Sequence, residues 1–525
     1  MSSLLNLQQL ESSPRFYLIF PLLSGILIIL AFPPFEQGYA AWFALLPLLW
    51  VTLQSAPFNA FKAGFLFSLP FTLYVNYYLG YVLYPYLSDI LATVAMVGLV
   101  LYISLFYGIF ALTASLAARS GRVWFTALAV PSLWLGVEYL RSLTFLAYNV
   151  GYLGYTQWGY PTVLNIASVY GYWGLPFVIV FFQVIIILFF QKKLQGKNFV
   201  AVTATFLIIL TAGLLGPAFQ EVEKEDEPLY TAMIQGNIQP ERIVRQDRQN
   251  ILDHYLDLTE RAIQDNPEVE LVVWPETVAR LDFRIERAHL EEIVILGEEH
   301  GINLLYGARL QKPDHLYNAI TFYSREQEQI PVYNKHRLVP FVEFFPAEQV
   351  LNRILQLELL LGSYTPGEEI TIFDIKGFPV AGVVCFESYF GDHMRLFAKE
   401  GALHQFVVTN DAWFGESIGL EQHAQVAAIR AAETGVGVTQ VANSGITISF
   451  DYRGRELFRS GKSETEIFAV PLDMTRRETV YTRYGDYFPA LWGIFLLITA
   501  SYFIYKANQG NSSPPQSGSR HQLNR

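Results

Sequence analysis

The sequence predicts a helical membrane bundle carrying a layered α/β domain, and three observations predict it. Seven apolar runs crowd residues 1–215, and an eighth returns at Phe488–Tyr505. Between them, residues 217–487 are mixed and charged, with β-branched runs alternating with segments of helical spacing. The chain is 52% hydrophobic and 15% aromatic, and its mean hydropathy of +0.28 points to a membrane protein.

In chain order, spanning helices are expected near 16–32, 38–53, 60–78, 90–118, 123–140, 172–190, 199–215 and 488–505, giving eight spans. Each is compatible with the roughly 20 residues a bilayer crossing takes, the second being short. The expected divisions are a transmembrane domain at 1–216, an outer domain at 217–487, a last span at 488–506 and a disordered cytoplasmic tail at 507–525. Alternate loops place Arg15, Lys62, Arg119, Arg122, Lys192, Lys193, Lys197 and Lys506 on one face, against Arg141 alone on the other. By the positive-inside rule the first face is cytoplasmic and the large domain extracytoplasmic. The first span is expected to stay as an anchor.

In the outer domain, strands are expected at 229–235, 270–275, 303–308, 319–323, 331–334, 378–384, 405–409 and 438–441. Helices are expected at 246–265, 285–300, 389–399 and 420–433. Such alternation suits an α/β layered domain with its own core. The net charge of −11 excludes a nucleic-acid partner, which needs a basic stripe. One cysteine excludes an intramolecular disulfide and a multi-cysteine metal site, and the nine histidines lack ligand spacing, so neither metal nor cofactor is expected.

Three polar residues close apolar strands: Glu276 after Leu271-Val-Val-Trp-Pro275, Lys335 after Val332-Tyr-Asn334, and Cys385 after Phe378-Pro-Val-Ala-Gly-Val-Val384. Singly each has an ordinary reading, as a solvated turn acid, a basic turn beside His336 and Arg337, and a small buried hydrophobe. Strand ends along one edge of an α/β sheet are where sites assemble. Together the three make a nucleophilic set. A nearby ammonium favours the thiolate, and a carboxylate can take the thiol proton and later one from an incoming nucleophile. The lysine and the Phe386 N–H can hold a tetrahedral oxyanion.

These residues, in this order, resemble the catalytic triad of the nitrilase (carbon–nitrogen hydrolase) superfamily. The matching motifs are Gln235-Gly-Asn-Ile238, Val273-Trp-Pro-Glu-Thr277, Tyr333-Asn-Lys-His-Arg-Leu-Val-Pro-Phe-Val-Glu343 and Cys385-Phe-Glu387. Asn410-Asp-Ala-Trp-Phe-Gly415 and Asn443-Ser-Gly-Ile446 match as well, and Pro131, Trp134, Glu138 and Arg141 extend the likeness into the membrane part. Over nearly its whole length the chain is similar to the membrane-bound apolipoprotein N-acyltransferase family.

The resemblance implies an α-β-β-α sandwich carried on eight transmembrane helices in a bacterial inner membrane, facing the periplasm. It implies ping-pong transfer of a fatty acyl group from a phospholipid, typically phosphatidylethanolamine, through a Cys385 thioester. The acceptor would be the α-amine of an S-diacylglyceryl-cysteine at the N-terminus of an apolipoprotein. Glu276 would be the general base and Lys335 the oxyanion stabiliser, with Glu343 supporting Lys335 and Glu387 shaping the pocket. Asn237 belongs to a matching motif and is a candidate substrate contact. Two positions depart from the family pattern: Phe386 stands where tyrosine is common, and Val244 where many members carry tryptophan.

Phe341, Phe344, Phe345 and Pro346 are expected to form an apolar lip that admits acyl chains, with Trp413 and Phe414 joining it. Glu138 and Arg141 read either as a neutralising interfacial pair or as phospholipid headgroup contacts, since charges near spans are expensive. Gly415-Glu-Ser-Ile-Gly419 fits a serine-hydrolase pattern, but Ser417 is separated from its strand and lacks a suitable later histidine. The rivals are a membrane-tethered amidase with the same triad, against which the seven preceding helices weigh, and a transporter or scaffold with a dead enzyme domain. A monomer is expected.

Overall fold

Apolar sequence with few charges folds as helices through residue 219. The computed structural model describes residues 16–85, 87–143, 147–239, 248–282, 287–327, 330–340, 342–344 and 363–511. The membrane part comprises Phe16–Leu27, Leu46–Thr52, Pro57–Asn76, Asp89–Arg119, Val123–Ser142, Pro161–Tyr170, Gly174–Phe190 and Gly196–Leu215, and Tyr487–Asn511 returns to it. Asp89–Arg119 has Ser88 as its N-cap, Asp89 in its first turn and Arg119 in its last, each complementing the helix ends. Along it Ile90, Val94, Leu101, Leu105, Ile109 and Leu116 are exposed, as a lipid-facing flank requires.

Among the described residues three helices are long and apolar enough to cross a bilayer: Asp89–Arg119, Val123–Ser142 and Gly196–Phe219. A fourth crossing follows if Pro161–Tyr170 and Gly174–Phe190, bent by 109°, count as one. The runs expected to span at 16–32, 38–53 and 488–505 form shorter apolar helices. In the second of these a 3-10 turn, Gly38–Trp42, precedes Leu46–Thr52, and Pro47 in the first turn of that helix keeps it from extending backwards. The 109° bend turns on Gly171, whose φ of +69° suits glycine, and a Cβ there would stand 2.6 Å from the Tyr481 ring. The bend delivers the Tyr172 N–H to Glu433 of the α/β domain at 2.6 Å.

That domain contains strands β1 (Val222–Lys224), β2 (Leu229–Gln235), β3 (Leu271–Asp282), β4 (Asn303–Gln311), β5 (Leu316–Tyr323), β6 (Val332–Asn334), β7 (Ile372–Ile375), β8 (Phe378–Val384), β9 (His404–Thr409), β10 (Gly437–Ala442), β11 (Ile448–Phe450), β12 (Glu456–Arg459), β13 (Glu466–Leu472) and β14 (Thr475–Arg477). Two six-stranded sheets result, ordered β13-β2-β3-β4-β5-β6 and β12-β11-β10-β9-β8-β7. Side-chain alternation builds the layers. Met233, Val273, Leu305 and Ile320 point to the core shared with Val383 and Val407 of the other sheet. Ala232, Val272, Trp274, Leu304 and Tyr306 pack under helices Arg248–Asp265 and Arg287–His300. Helices Gly391–Lys399 and Ile418–Thr434 cover the second sheet, completing helix–sheet–sheet–helix layering of the nitrilase type.

Every residue of Ile418–Thr434 is buried. One side faces β10, and the other meets Pro161–Tyr170 and Pro57–Asn76 of the membrane part. A helix buried all round is a core element, and this one joins the two halves of the molecule into one continuous apolar cluster.

Candidate active site

Parallel strands β2, β3 and β4, and β8, β9 and β10, end on common edges. Two of the ends are marked by non-glycine residues in the left-handed region, Asn237 (φ +51°) and Cys385 (φ +50°). Strand β3 runs on to Asp282 rather than stopping at 275 as expected, so Glu276 sits inside the strand, and Thr277 next to it is left-handed too (φ +55°). Such backbone costs about 1–3 kcal/mol per residue and gathers at functional sites. At Glu276 the ladder between β3 and β4 slips from Trp274 to Ala279, a bulge that re-aims the side chain. Gly307 permits it, because a Cβ there would lie 2.6 Å from the Glu276 Cα.

The Glu276 carboxylate accepts from Asn318 Nδ2 at 2.7 Å and from the Asn410 N–H at 3.0 Å. Lys335 is buried, with Nζ 3.8 Å from Glu276 Oε1 and 3.0 and 2.9 Å from the two oxygens of Glu343. Asn318 also donates to Glu343 at 2.8 Å, so one amide ties both carboxylates to the lysine. Burial raises the Glu276 carboxyl above its ordinary 4.5, with Lys335 opposing. Burial alone would lower Lys335, yet Glu343 and Glu276 outweigh it and hold the ammonium above its usual range.

Cys385 opens a 3-10 turn, Cys385–Tyr389, directly after β8. Burial and the Glu276 carboxylate push its thiol well above the ordinary 9.0, and the Lys335 ammonium pulls the other way without prevailing. Lys335 favours the thiolate as expected but is already matched by two carboxylates. The arrangement fits a neutral thiol that loses its proton to Glu276 as it attacks. Lysine has three donors, so the bonds to Glu343 leave donor capacity for an oxyanion.

Glu387 is completely buried and faces away from solvent. Its carboxylate accepts from the N–H groups of Val384 (3.0 Å), His336 (2.7 Å) and Arg337 (3.0 Å) and from the Tyr333 hydroxyl (2.8 Å). It thus fastens the end of β8, next to Cys385, to the end of β6, next to Lys335. Burial alone would raise its pKa, but His393 beside it, with the backbone donors, brings it down to about 2. A depressed carboxyl contributes stability in full above its unfolded value, and that stability is lost as pH falls from about 4.5 towards 2. Glu387→Gln is expected to cost about 2–4 kcal/mol of stability at neutral pH and to flatten this acid limb. Thermal unfolding of both forms across that pH range checks it.

Several residues join the site without a sequence signal that singled them out. Asn318 sits in an apolar strand whose expected start was one residue later. Asp411 and His423 pair at 2.9 Å, and His423 Nε2 reaches Ser388 Oγ at 3.2 Å and the Cys385 carbonyl at 3.3 Å. Burial alone would lower His423, but Asp411 outweighs it and raises the imidazole. Ligating atoms of Cys385, Asp411 and His423 lie within 4.8 Å of one another. Tyr389 stacks on His423 with ring centroids 5.5 Å apart. Ser417 caps Ile418–Thr434, accepting from the Gly419 N–H at 3.1 Å, and His423 is committed to Asp411, which leaves the serine-hydrolase pattern no role.

The remaining candidates are placed as follows. Asn237 donates to the Ser463 carbonyl, and its N–H bonds the Asn443 carbonyl at 2.6 Å, so it ties loops together. Phe386 is half-buried against Phe390 and Tyr389. Phe344 is half-buried beside Pro340. Phe341, Phe345, Pro346 and Val244 lie outside the described residues. Trp413 is half-buried, and Phe414 meets Tyr78 edge-on at 5.0 Å, at the junction with the membrane helices.

Glu138 and Arg141 do not face a headgroup. They are 0% and 2% exposed and are met by protein groups, apart from the Arg141 Nε, which has no partner. Glu138 accepts from Trp134 Nε1 (3.0 Å), the Leu153 N–H (3.1 Å) and Tyr172 OH (2.9 Å). Arg141 donates to the carbonyls of Tyr148 (3.1 Å) and Val150 (3.3 Å) and lies over the Tyr152 ring. The pair anchors the segment 147–157, from which Asn149 donates to the Tyr389 carbonyl at 3.2 Å.

With this geometry in hand, the comparisons with known proteins are informative. The apolipoprotein N-acyltransferase N-terminal domain matches residues 24–185, and the carbon–nitrogen hydrolase domain matches residues 230–481. The chain is similar to the apolipoprotein N-acyltransferase of Geobacter metallireducens, with 28% identity over 92% of this chain and 94% of that one. Its counterpart in Methylococcus capsulatus is 27% identical over 90% and 93%. Apolipoprotein N-acyltransferase 1 of Treponema denticola is 27% identical over 71% and 76%.

Proposed function

The chain belongs to the apolipoprotein N-acyltransferase family, and we propose that it moves a fatty acyl group from a phospholipid to the α-amine of an S-diacylglyceryl-cysteine through a thioester on Cys385. What supports this reading is that Lys335 lies 3.8 Å from Glu276 and that both charges act on Cys385, next to an apolar helical bundle. In the first half-reaction, Glu276 takes the thiol proton while the sulfur bonds to the ester carbonyl. Lys335 faces the oxyanion that forms. The carbon–oxygen bond then breaks, and the lysophospholipid alkoxide leaves with the proton that Glu276 returns. In the second, the α-amine attacks the thioester, Glu276 accepts a proton from nitrogen, and the sulfur departs and is reprotonated. An amide and the resting enzyme result.

Glu343 and Asn318 act through Lys335 and Glu276, and Glu387 acts through the two strand ends, so these are positioning residues. Phe344, Trp413 and Phe414, with Tyr78 opposite Phe414, form the apolar approach for acyl chains. Eight crossings, with residues 217–487 outside a bacterial inner membrane and residues 507–525 inside, accord with the one-sided distribution of Lys and Arg. Phosphatidylethanolamine is the proposed donor, and the enzyme works as a monomer.

Two measurements test the reading. Purified enzyme given phosphatidylethanolamine and a synthetic diacylglyceryl lipopeptide is expected to add one acyl mass to the peptide amine. Release of ammonia from a small amide, with the lipopeptide untouched, would reassign the protein as a membrane-tethered amidase. The active form carries ionised Glu276 and neutral Cys385. Because burial raises Glu276, turnover is expected to fall with pH through a midpoint above the ordinary 4.5. Asn318→Ala, which removes a donor to the charged form, is expected to move that midpoint further up. The pH profile of kcat/KM for both forms checks it.

A further inference from the structure

A second cleft lies where the membrane helices meet the α/β domain, remote in the sheet order from Cys385. It measures about 360 Å³ and is lined on one side by Leu214, Leu215, Pro217 and Ala218, which end the helix Gly196–Leu215. The other side carries Arg453 and Arg455 from the β11–β12 turn and Arg477 from β14. The turn is seated against the bundle: a Cβ at Gly454 would stand 2.6 Å from the Ala428 carbonyl and 2.8 Å from Leu164.

Charge here is unbalanced. Among the described residues none of the three arginines forms an ion pair. The one acid beside them, Asp451, accepts at Oδ1 from the backbone N–H groups of Arg453 and Arg455, at 2.8 and 2.9 Å. Arg477 is 3% exposed, its Nη2 makes one long bond of 3.4 Å to the Ala432 carbonyl, and its Nε has no partner. Burial brings its pKa down to about 10, with Tyr452 and Asp451 opposing and Arg453 adding to the effect. A buried guanidinium left this way is costly unless an anion completes it. The apolar wall says which anion: Leu215 at the cleft is 57% exposed, as a side chain bathed by lipid is.

We propose that this cleft binds the phosphodiester headgroup of an anionic phospholipid, separately from the site of acyl transfer. The three guanidiniums take the phosphate, and Leu214 and Leu215 line the start of its acyl chains. Three cations against the single Asp451 carboxylate leave the cleft net positive, which favours a lipid of net negative charge over a zwitterionic one.

The test uses the full-length Cys385→Ala enzyme, which forms no thioester, so its outcome is independent of the transferase reading. Native mass spectrometry in detergent follows retention of phosphatidylglycerol, phosphatidylethanolamine and inorganic phosphate. One phosphatidylglycerol is expected to be held in preference to phosphatidylethanolamine. Its affinity is expected to fall about 30-fold in Arg453→Gln/Arg455→Gln and about fivefold in Arg455→Gln alone. Arg455 is exposed, so the single variant keeps the test readable should the double variant unfold. Equal retention by parent and Arg455→Gln, or displacement of the lipid by millimolar inorganic phosphate, would overturn the proposal; the second outcome would assign the cleft to free phosphate.

Discussion

Cys385→Ser is expected to abolish acyl transfer, by about 10⁴-fold or more, while leaving the fold intact. The substitution exchanges one small atom for another in a residue that keeps the same left-handed backbone, so the turn and the Glu387 bonds to Val384, His336 and Arg337 are undisturbed. What changes is the nucleophile. A hydroxyl holds its proton more tightly than a thiol, and this thiol is already pushed up by burial and by Glu276. Glu276 is not strong enough a base to activate serine in its place. Residual lipopeptide acylation and the unfolding midpoint, measured side by side, separate loss of chemistry from loss of structure.

Lys335→Met carries the second large effect, and it strikes activity and stability together. The lysine is 1% exposed, between Glu343 at 2.9 Å and Glu276 at 3.8 Å. Removing it leaves two buried carboxylates facing each other, a loss of about 3–5 kcal/mol, and removes oxyanion stabilisation of about 10²–10³ in rate. Without the ammonium Glu276 is expected to hold a proton at neutral pH, so the general base is lost as well. Lys335→Arg is not expected to rescue, since a planar fork does not fit a point-charge socket built by Glu343 and Asn318. Lys335→Met/Glu343→Gln, which removes the unpaired charge, is expected to regain stability but not activity. Unfolding and turnover of the three variants check this.

Much of this site could be read from the chain because its chemistry follows apolar runs, at the ends of β6 and β8 and at the bulge inside β3. The apolar runs 229–235 and 378–384 match β2 and β8 residue for residue, since continuous β-branched sequence leaves little choice of register. Glu276, Lys335 and Cys385 each follow such a run, so their meeting could be expected from topology. The outer strands could not. β11, β12 and β14 are three or four residues long and carry charged or polar residues, and their identity as strands depends on the ladder they join.

The positioning residues were hidden for a different reason. Asn318, Asp411 and His423 act through partners distant in sequence, and a polar residue in a strand or helix does not announce which way it faces. Glu138 and Arg141 illustrate the same limit: spacing placed them on one helix end, but only packing shows that they turn inward to hold 147–157. An apolar window does not register where the backbone shortens a helix: Pro47, in the first turn of Leu46–Thr52, starts that helix late.

The most direct measurement is the intact mass of the purified enzyme after incubation with phosphatidylethanolamine alone. The expected result is a gain of one fatty acyl group, removed by hydroxylamine, absent from Cys385→Ser and discharged by added diacylglyceryl lipopeptide. An unmodified mass under conditions where the lipopeptide is acylated would contradict the thioester route through Cys385.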